Sequence, residues 1–291
     1  MNKMQQCRYG MMMYNSHDTV IGRSLKVYGE WAQREMDLLK EWIAPGDVVI
    51  DVGAYIGTHT LFFARAVSPG GRVIAVEPQR LPFQILCGNI ALNSLSNVYT
   101  YMAAAGRESG TVSIPAIDYE QSNNFSAFSL LPILASDDPW FGEEVPVMTL
   151  DGLKLQKCKL IKIDVEGMEA DVLRGSLSTI QKLKPILYVE NNNRGDSTEL
   201  VRLIRDLGYD IWIHTSPEFN PDNFLGESRN ISWNFFDINM ICLQKGSKIN
   251  AEGLHPLDAE CEVLHRLHRE LAKIVARTSN PQIDSYVEDE L

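Results

Sequence analysis

Residues 47–57 read Asp47-Val48-Val49-Ile50-Asp51-Val52-Gly53-Ala54-Tyr55-Ile56-Gly57. Val48 to Val52 is a short apolar run rich in β-branched side chains, the pattern of a strand buried on both faces. Gly53 closes it, Gly57 follows four residues later, and Thr58 to Val67 carries a helical pattern. A strand, a glycine turn and a helix N-terminus make a ligand cradle. The glycines admit close backbone approach, and the first helical N–H groups lack intrahelical partners. The spacing narrows the ligand. A dinucleotide fingerprint is G-x-G-x-x-G. Aligned on Gly53, this chain carries Asp51 at the first glycine position and Ile56 at the third. A carboxylate there repels a pyrophosphate and suits a cationic amine.

A second acidic strand end follows in Gly71-Arg72-Val73-Ile74-Ala75-Val76-Glu77-Pro78. A carboxylate at that place accepts ribose hydroxyls in doubly wound nucleoside sites. An amine-binding turn plus a ribose-binding acid describes S-adenosylmethionine. The expected cofactor residues are Asp51, Gly53, Ala54, Tyr55, Gly57, Thr58, Glu77 and Pro78, with Asp164 from a later strand end. Ala103 and Ala104, at the end of a third strand over 97–102, leave room for a flat adenine ring, although alanine is also ordinary filler.

Composition bounds the rest. The 291 residues suffice for one large α/β domain or two small ones, and 45% hydrophobic content is that of a packed globular chain. A net charge of −11 argues against a nucleic-acid partner. Five scattered cysteines without a C-x-x-C pair suit reduced thiols in a cytoplasmic protein. No apolar segment is long enough for a membrane span.

In chain order, residues 1–44 form an N-terminal extension. It has a Met11-Met12-Met13 run, an expected extended stretch over 18–28, and a helix over 29–43 read from Trp31, Met36, Leu38, Leu39, Trp42 and Ile43. That helix should lie near the cofactor mouth. The ligand-binding domain spans 45–245. Within it, 81–93 reads as a helix, and 107–148 breaks the strand–helix rhythm with strand-like pieces over 111–114, 125–131 and 145–150. This insertion is expected over the strand carboxyl ends, where open α/β sheets bind ligands. Asn123, Asn124, Phe125, Trp140 and Phe141 are either substrate contacts or a hydrophobic flap. An apolar strand over 160–163 then ends on Asp164, with Glu166 and Glu169 suited to the following helix N-terminus. Asp164 either faces the crevice or caps that helix. A strand over 185–190 ends in Glu190-Asn191, a helix covers 197–207, and 209–214 with 238–243 form a closing strand pair.

Asp51-Val52-Gly53-Ala54-Tyr55-Ile56-Gly57-Thr58-His59-Thr60, then Val76-Glu77-Pro78, then Ile163-Asp164-Val165-Glu166-Gly167-Met168-Glu169-Ala170-Asp171-Val172-Leu173-Arg174-Gly175 resemble the FkbM family of S-adenosylmethionine-dependent methyltransferases. The resemblance covers about residues 18–243. It implies a class I methyltransferase fold: a Rossmann-like α/β sheet of seven strands, mostly parallel, with an antiparallel last strand. It also implies O-methylation of hydroxyls on small molecules, sugars, glycans or natural products.

Methyl transfer to an alcohol needs alignment and a base for the hydroxyl proton. Asp164, Glu190 and His214 are the candidates. The alternative is Mg²⁺ held by Asp164, Glu190 and Asn191, similar to the set of catechol-type O-methyltransferases with Glu in place of one Asp. A non-catalytic S-adenosylmethionine-binding module is the other function class. Past the domain, 246–291 reads as a polar linker, an amphipathic helix and an acidic tail. Leu257, Cys261, Leu264, His268, Leu271 and Val275 recur in an a/d-like stripe that would dock on the domain or pair two copies.

Overall fold

A computed structural model describes residues 1–127, 142–191, 197–232, 236–247, 254–257 and Arg269. The chain opens with a hairpin, β1 (Asn2–Cys7) and β2 (Gly10–Asn15), followed by helices α1 (Ile21–Tyr28) and α2 (Gln33–Lys40). The expected strand–helix core then begins: β3 (Val48–Val52), α3 (Thr58–Ala66), β4 (Arg72–Val76), α4 (Arg80–Leu92) and β5 (Val98–Tyr101). A satellite sheet of β6 (Ala104–Ala105), β7 (Gly110–Pro115) and β8 (Gly142–Met148) interrupts it. The core resumes with β9 (Leu160–Ile163), α5 (Glu169–Arg174), α6 (Leu177–Leu183), β10 (Ile186–Glu190) and α7 (Ser197–Asp206). It closes with β11 (Tyr209–Pro217), β12 (Phe236–Gln244) and β13 (Leu254–Pro256).

The main sheet has eight strands in the order β13-β11-β12-β10-β9-β3-β4-β5. β3 pairs in parallel with β4 and β9, while β12 runs antiparallel to both β10 and β11. The expected antiparallel strand is therefore present. The seven-strand count is corrected to eight, because β13 pairs along β11, within what reads in sequence as a linker. Burial follows position. Every residue of β3, β9 and β10 is buried, whereas edge strand β5 alternates half-buried and exposed residues.

Alternation along the strands splits the core into two layers. Val48, Ile50, Val52, Ile161, Ile163, Leu187 and Val189 pack on one face, and Val49, Leu160, Ile186, Tyr188 and Ile241 on the other, against Met36, Leu39, Phe62 and Phe63 of α2 and α3.

Two N-terminal expectations change. The extended stretch over 18–28 is largely helix α1: Asp18 Oδ1 accepts the Val20 N–H at 3.0 Å, and Ile21, Leu25 and Tyr28 recur on its buried side. The helix over 29–43 is shorter, since Ala32 takes φ 49° and α2 starts at Gln33. The strand expected over 125–131 is not formed at Phe125 to Ala127, a bend and turn; its remaining residues lie outside the described set.

Candidate functional site

A cleft of about 330 Å³ opens at the carboxyl ends of the parallel strands. Of the residues singled out from the sequence, Gly53, Ala54, Tyr55, Thr58, Glu77, Pro78, Ala103, Ala104, Asp164 and Glu190 line it. The turn after β3 has a firm local cause. Gly53 has φ 79°, and a Cβ there would lie 1.8 Å from the Asp164 carbonyl oxygen. Only glycine lets the ends of β3 and β9 approach this closely.

Glu77 is 3% exposed, and its two carboxylate oxygens accept the Tyr55 and Gln79 N–H groups, each at 2.8 Å. Burial pushes its acid up to about 7 against the pull of those two bonds. Tyr55 donates its hydroxyl to Asp18 Oδ2 at 2.9 Å, which ties α1 to the rim.

Four predicted residues fall outside the cleft lining, and each has its own local contact. Asp51 is in register with Lys162, which lines the cleft, but it is 0% exposed behind that lysine, where Thr60 donates to its Oδ2 at 2.6 Å. His214 pairs with the Tyr188 hydroxyl at 2.8 Å, and burial lowers it to about 4. Neither it nor Asp51 contacts the cleft, so His214 is corrected as a base. Asn191, just past β10, accepts from the Ser197 hydroxyl and sets its amide against the Met240 sulfur at 3.5 Å. Gly57 caps α3 at φ 93°, and Leu86 Cδ1 would sit 2.7 Å from an added Cβ, so it is required by packing.

Of the insertion residues, Asn124 lines the cleft, Asn123 bridges to Asp18, and Phe125 is buried against Tyr119 with ring centroids 4.9 Å apart. Trp140 and Phe141 lie outside the described residues.

The cleft also exposes a polar network that the sequence reading did not single out. Lys162 is 3% exposed; its Nζ lies 3.0 Å from Asp164 Oδ2 and 3.7 Å from Asp51 Oδ1. Glu35 of α2 accepts from Asn239 at 2.9 Å and meets His59 Nε2 at 3.1 Å. Burial holds Glu35 up at about 8, while burial and the Lys162 charge hold His59 down at about 3. Their contact is therefore a neutral hydrogen bond. A lysine inside an otherwise apolar, fully buried strand was the readable signal, because buried lysines are rare unless paired.

Asp164 and Glu190 divide one proton. Burial raises Asp164, but the Lys162 ammonium and a hydrogen bond from Glu190 outweigh it, so Asp164 sits below the ordinary carboxylate value. Burial and the Asp164 charge push Glu190 well above it. Asp164 is thus the ionised member. Glu169 organises the loop between them and α5: its Oε1 accepts the Val165 and Gly167 N–H groups at 3.2 and 3.0 Å.

The alternative Mg²⁺ set of Asp164, Glu190 and Asn191, which the sequence does not favour, is only partly brought together. Asp164, Glu166 and Glu190 bring ligand oxygens within 4.8 Å of one another. Asn191, however, is engaged elsewhere, and Lys162 already brings a positive charge to Asp164.

A family model described as "Methyltransferase FkbM domain" matches residues 51–211. Hexuronic acid methyltransferase AglP of Haloferax volcanii is 28% identical over 177 residues, covering 58% of this chain and 66% of that protein. 31-O-demethyl-FK506 methyltransferase FkbM of Streptomyces tacrolimicus is 27% identical over 206 residues, covering 61% and 78%. The solved Methyltransferase FkbM from Methylobacillus flagellatus KT is similar with a TM-score of 0.43 and 18% identity, over 72% of this chain. The matched region spans half the length of that solved chain.

Proposed function

The chain belongs to the methyltransferase FkbM domain family, and from that premise we propose that it transfers a methyl group from S-adenosylmethionine to an oxygen of a small molecule, sugar, glycan or natural product. The observation that supports this is a single cleft lined both by the Glu77 strand end with Ala103 and Ala104 and by the Asp164–Glu190 pair. The relatives named for a hexuronic acid and for a 31-O-demethyl compound support an oxygen acceptor of sugar or natural-product type.

Bound S-adenosylmethionine supplies an electrophilic methyl on a sulfonium centre, with a neutral leaving group. The chain's task is therefore alignment and proton removal. Glu77 accepts the ribose hydroxyls on lone pairs that its two backbone bonds leave open. Gly53 and Ala54 give backbone access, and Ala103 and Ala104 leave space for the adenine. Asp164 takes the acceptor hydroxyl proton as the new carbon–oxygen bond forms. Glu190, protonated beforehand, holds Asp164 in place. Free thiols at Cys7, Cys87, Cys158 and Cys242 support a reducing, cytoplasmic setting, and no helix among the described residues is long and apolar enough to cross a membrane.

The test is mass-detected conversion of S-adenosylmethionine to S-adenosylhomocysteine with a panel of hydroxylated acceptors. Asp164→Asn should lower turnover by ~10²-fold, the usual range for a lost base. Asp164→Asn and Glu190→Gln proteins that both match the parent would remove this pair from the mechanism. Tight S-adenosylhomocysteine binding without turnover of any acceptor would favour the binding-module reading.

A further inference from the structure

Lys162 occupies a strand position whose neighbours Leu160, Ile161 and Ile163 are wholly buried and apolar. An ammonium there is costly unless its surroundings supply charge. Groups from five elements surround it, and of these Asp51 and Asp164 carry the offsetting charge, while burial holds Glu35, His59 and Glu190 neutral. Glu35 comes from α2, Asp51 from β3, His59 from α3, Asp164 from the end of β9 and Glu190 from β10.

The distances show which partner the lysine serves. Asp51 is 0% exposed, and its Oδ1 has no hydrogen-bond partner. A lysine present only to neutralise a buried acid would close on that oxygen. Lys162 instead stands 3.7 Å from it and 3.0 Å from Asp164 Oδ2, whose side chain is 36% exposed toward the cleft. Thr60 meets the other Asp51 oxygen at 2.6 Å and fixes that carboxylate in place behind the lysine. Asp51 thus backs Lys162, and Lys162 leans on Asp164.

We propose that Lys162 is the positioning residue of the Asp164–Glu190 pair, a built-in counter-cation that makes Asp164 the proton acceptor and Glu190 the proton holder. It takes the place that a metal ion would have in the alternative mechanism. A fixed ammonium orients one carboxylate oxygen, acts beside the hydrogen bond from Glu190, and needs no coordination sphere completed by Asn191. Burial alone would pull the ammonium down, but the charges of Asp164 and Asp51 outweigh it, so Lys162 remains charged in the folded protein.

The proposal depends on the methyltransferase reading only for the identity of the proton that is moved; the charge state itself is measurable without turnover. The experiment is a pH titration of the full-length protein, labelled with ¹³C in its Asp and Glu carboxyl groups. The Asp164 resonance is assigned by its loss in Asp164→Asn. In the parent, Asp164 should titrate below the reference value of 3.8 and Glu190 above its own of 4.5. In Lys162→Gln the Asp164 midpoint should move up, and in Lys162→Arg it should stay near the parent. A lysine serving only to fill or stabilise the core would leave that midpoint where it was. An unmoved Asp164 in a folded Lys162→Gln protein overturns the proposal. So does a parent Asp164 that titrates at or above 3.8, and this second result stands even where the glutamine variant fails to fold. Calorimetry of S-adenosylhomocysteine on the parent reads the methyltransferase assignment separately, so the failure of either is distinguishable from the failure of the other.

Discussion

Glu77 joins local structure to ligand chemistry, because the oxygens that order the Tyr55–Gln79 backbone also face the cleft. Glu77→Gln keeps the size and one acceptor but removes the charge. It should weaken S-adenosylhomocysteine by roughly 1.5–3 kcal/mol, the value of a hydrogen bond to a charged group. Because burial holds the acid near 7, parent affinity should also fall as pH drops below about 7, and the glutamine variant should lack that dependence. Equal calorimetric affinities at pH 8 would mean that another group receives the ribose. Glu35 yields a stability prediction of known sign. Folded, it holds its proton up to about 8; unfolded, it ionises near 4.5. Across that window the folded state carries the extra proton, so this residue's contribution makes stability fall as pH rises and levels off above 8. Glu35→Gln preserves the contacts to Asn239 and His59 and should flatten that slope, with a gain of order a few kcal/mol at pH 8 to 9. Parallel slopes for the two proteins in urea melts would show that Glu35 is ionised in the fold.

The elements that hold the site were legible where side-chain period and strand direction agree. The β3–Gly53 turn, the Glu77 strand end and the β9–Asp164 end read correctly because an apolar run closed by an acid has only one place in a parallel sheet. Reading strand ends as a single crevice missed that Asp51 lies behind Lys162, held by Thr60, and that Tyr188 takes up His214. The N-terminal hairpin was missed because its anchor lies far along the chain. Asn89 of α4 accepts the Met13 N–H at 2.6 Å and donates to the Met13 and Ile56 carbonyls at 3.0 and 2.8 Å. Asn89→Ala leaves buried backbone groups unpaired in both the hairpin and the cofactor turn, so it should cost about 2–4 kcal/mol. Gly53→Ala tests the turn directly. Positive-φ strain and a Cβ forced against the Asp164 carbonyl should together cost about 2–5 kcal/mol in denaturant unfolding. An alanine variant with parent stability would show that β9 can withdraw from the turn.

At the scale of the whole molecule, the sheet edge beyond β11 decides how the C-terminal region is attached. β13 pairs Leu254, His255 and Pro256 with His214, Ile213 and Trp212. The Leu257 N–H bonds the Ile211 carbonyl at 3.0 Å, Arg205 donates to the Leu257 carbonyl at 3.1 Å, and the Leu257 side chain is buried in the main core layer. Leu257 is also the first residue of the apolar stripe read from the sequence, whose later members Cys261, Leu264, His268, Leu271 and Val275 lie outside the described residues. A stripe whose first residue is already seated on its own domain favours docking in cis over pairing between copies. Two truncations separate the strand from the stripe. Removing 258–291 leaves β13 covering β11, and should lower the melting temperature while light scattering returns a monomer-equivalent mass ratio identical to the parent. Removing 254–291 also uncovers a long edge strand, which invites association, and gives up the buried Leu257 at ~1.5–3 kcal/mol. That variant should melt several degrees lower still, since 1 kcal/mol is worth roughly 2–4 °C in a domain of this size. A loss of oligomeric state in the first truncation would instead assign the stripe to a partner copy. Identical melting temperatures in all three proteins would show that neither β13 nor the stripe contributes to the fold.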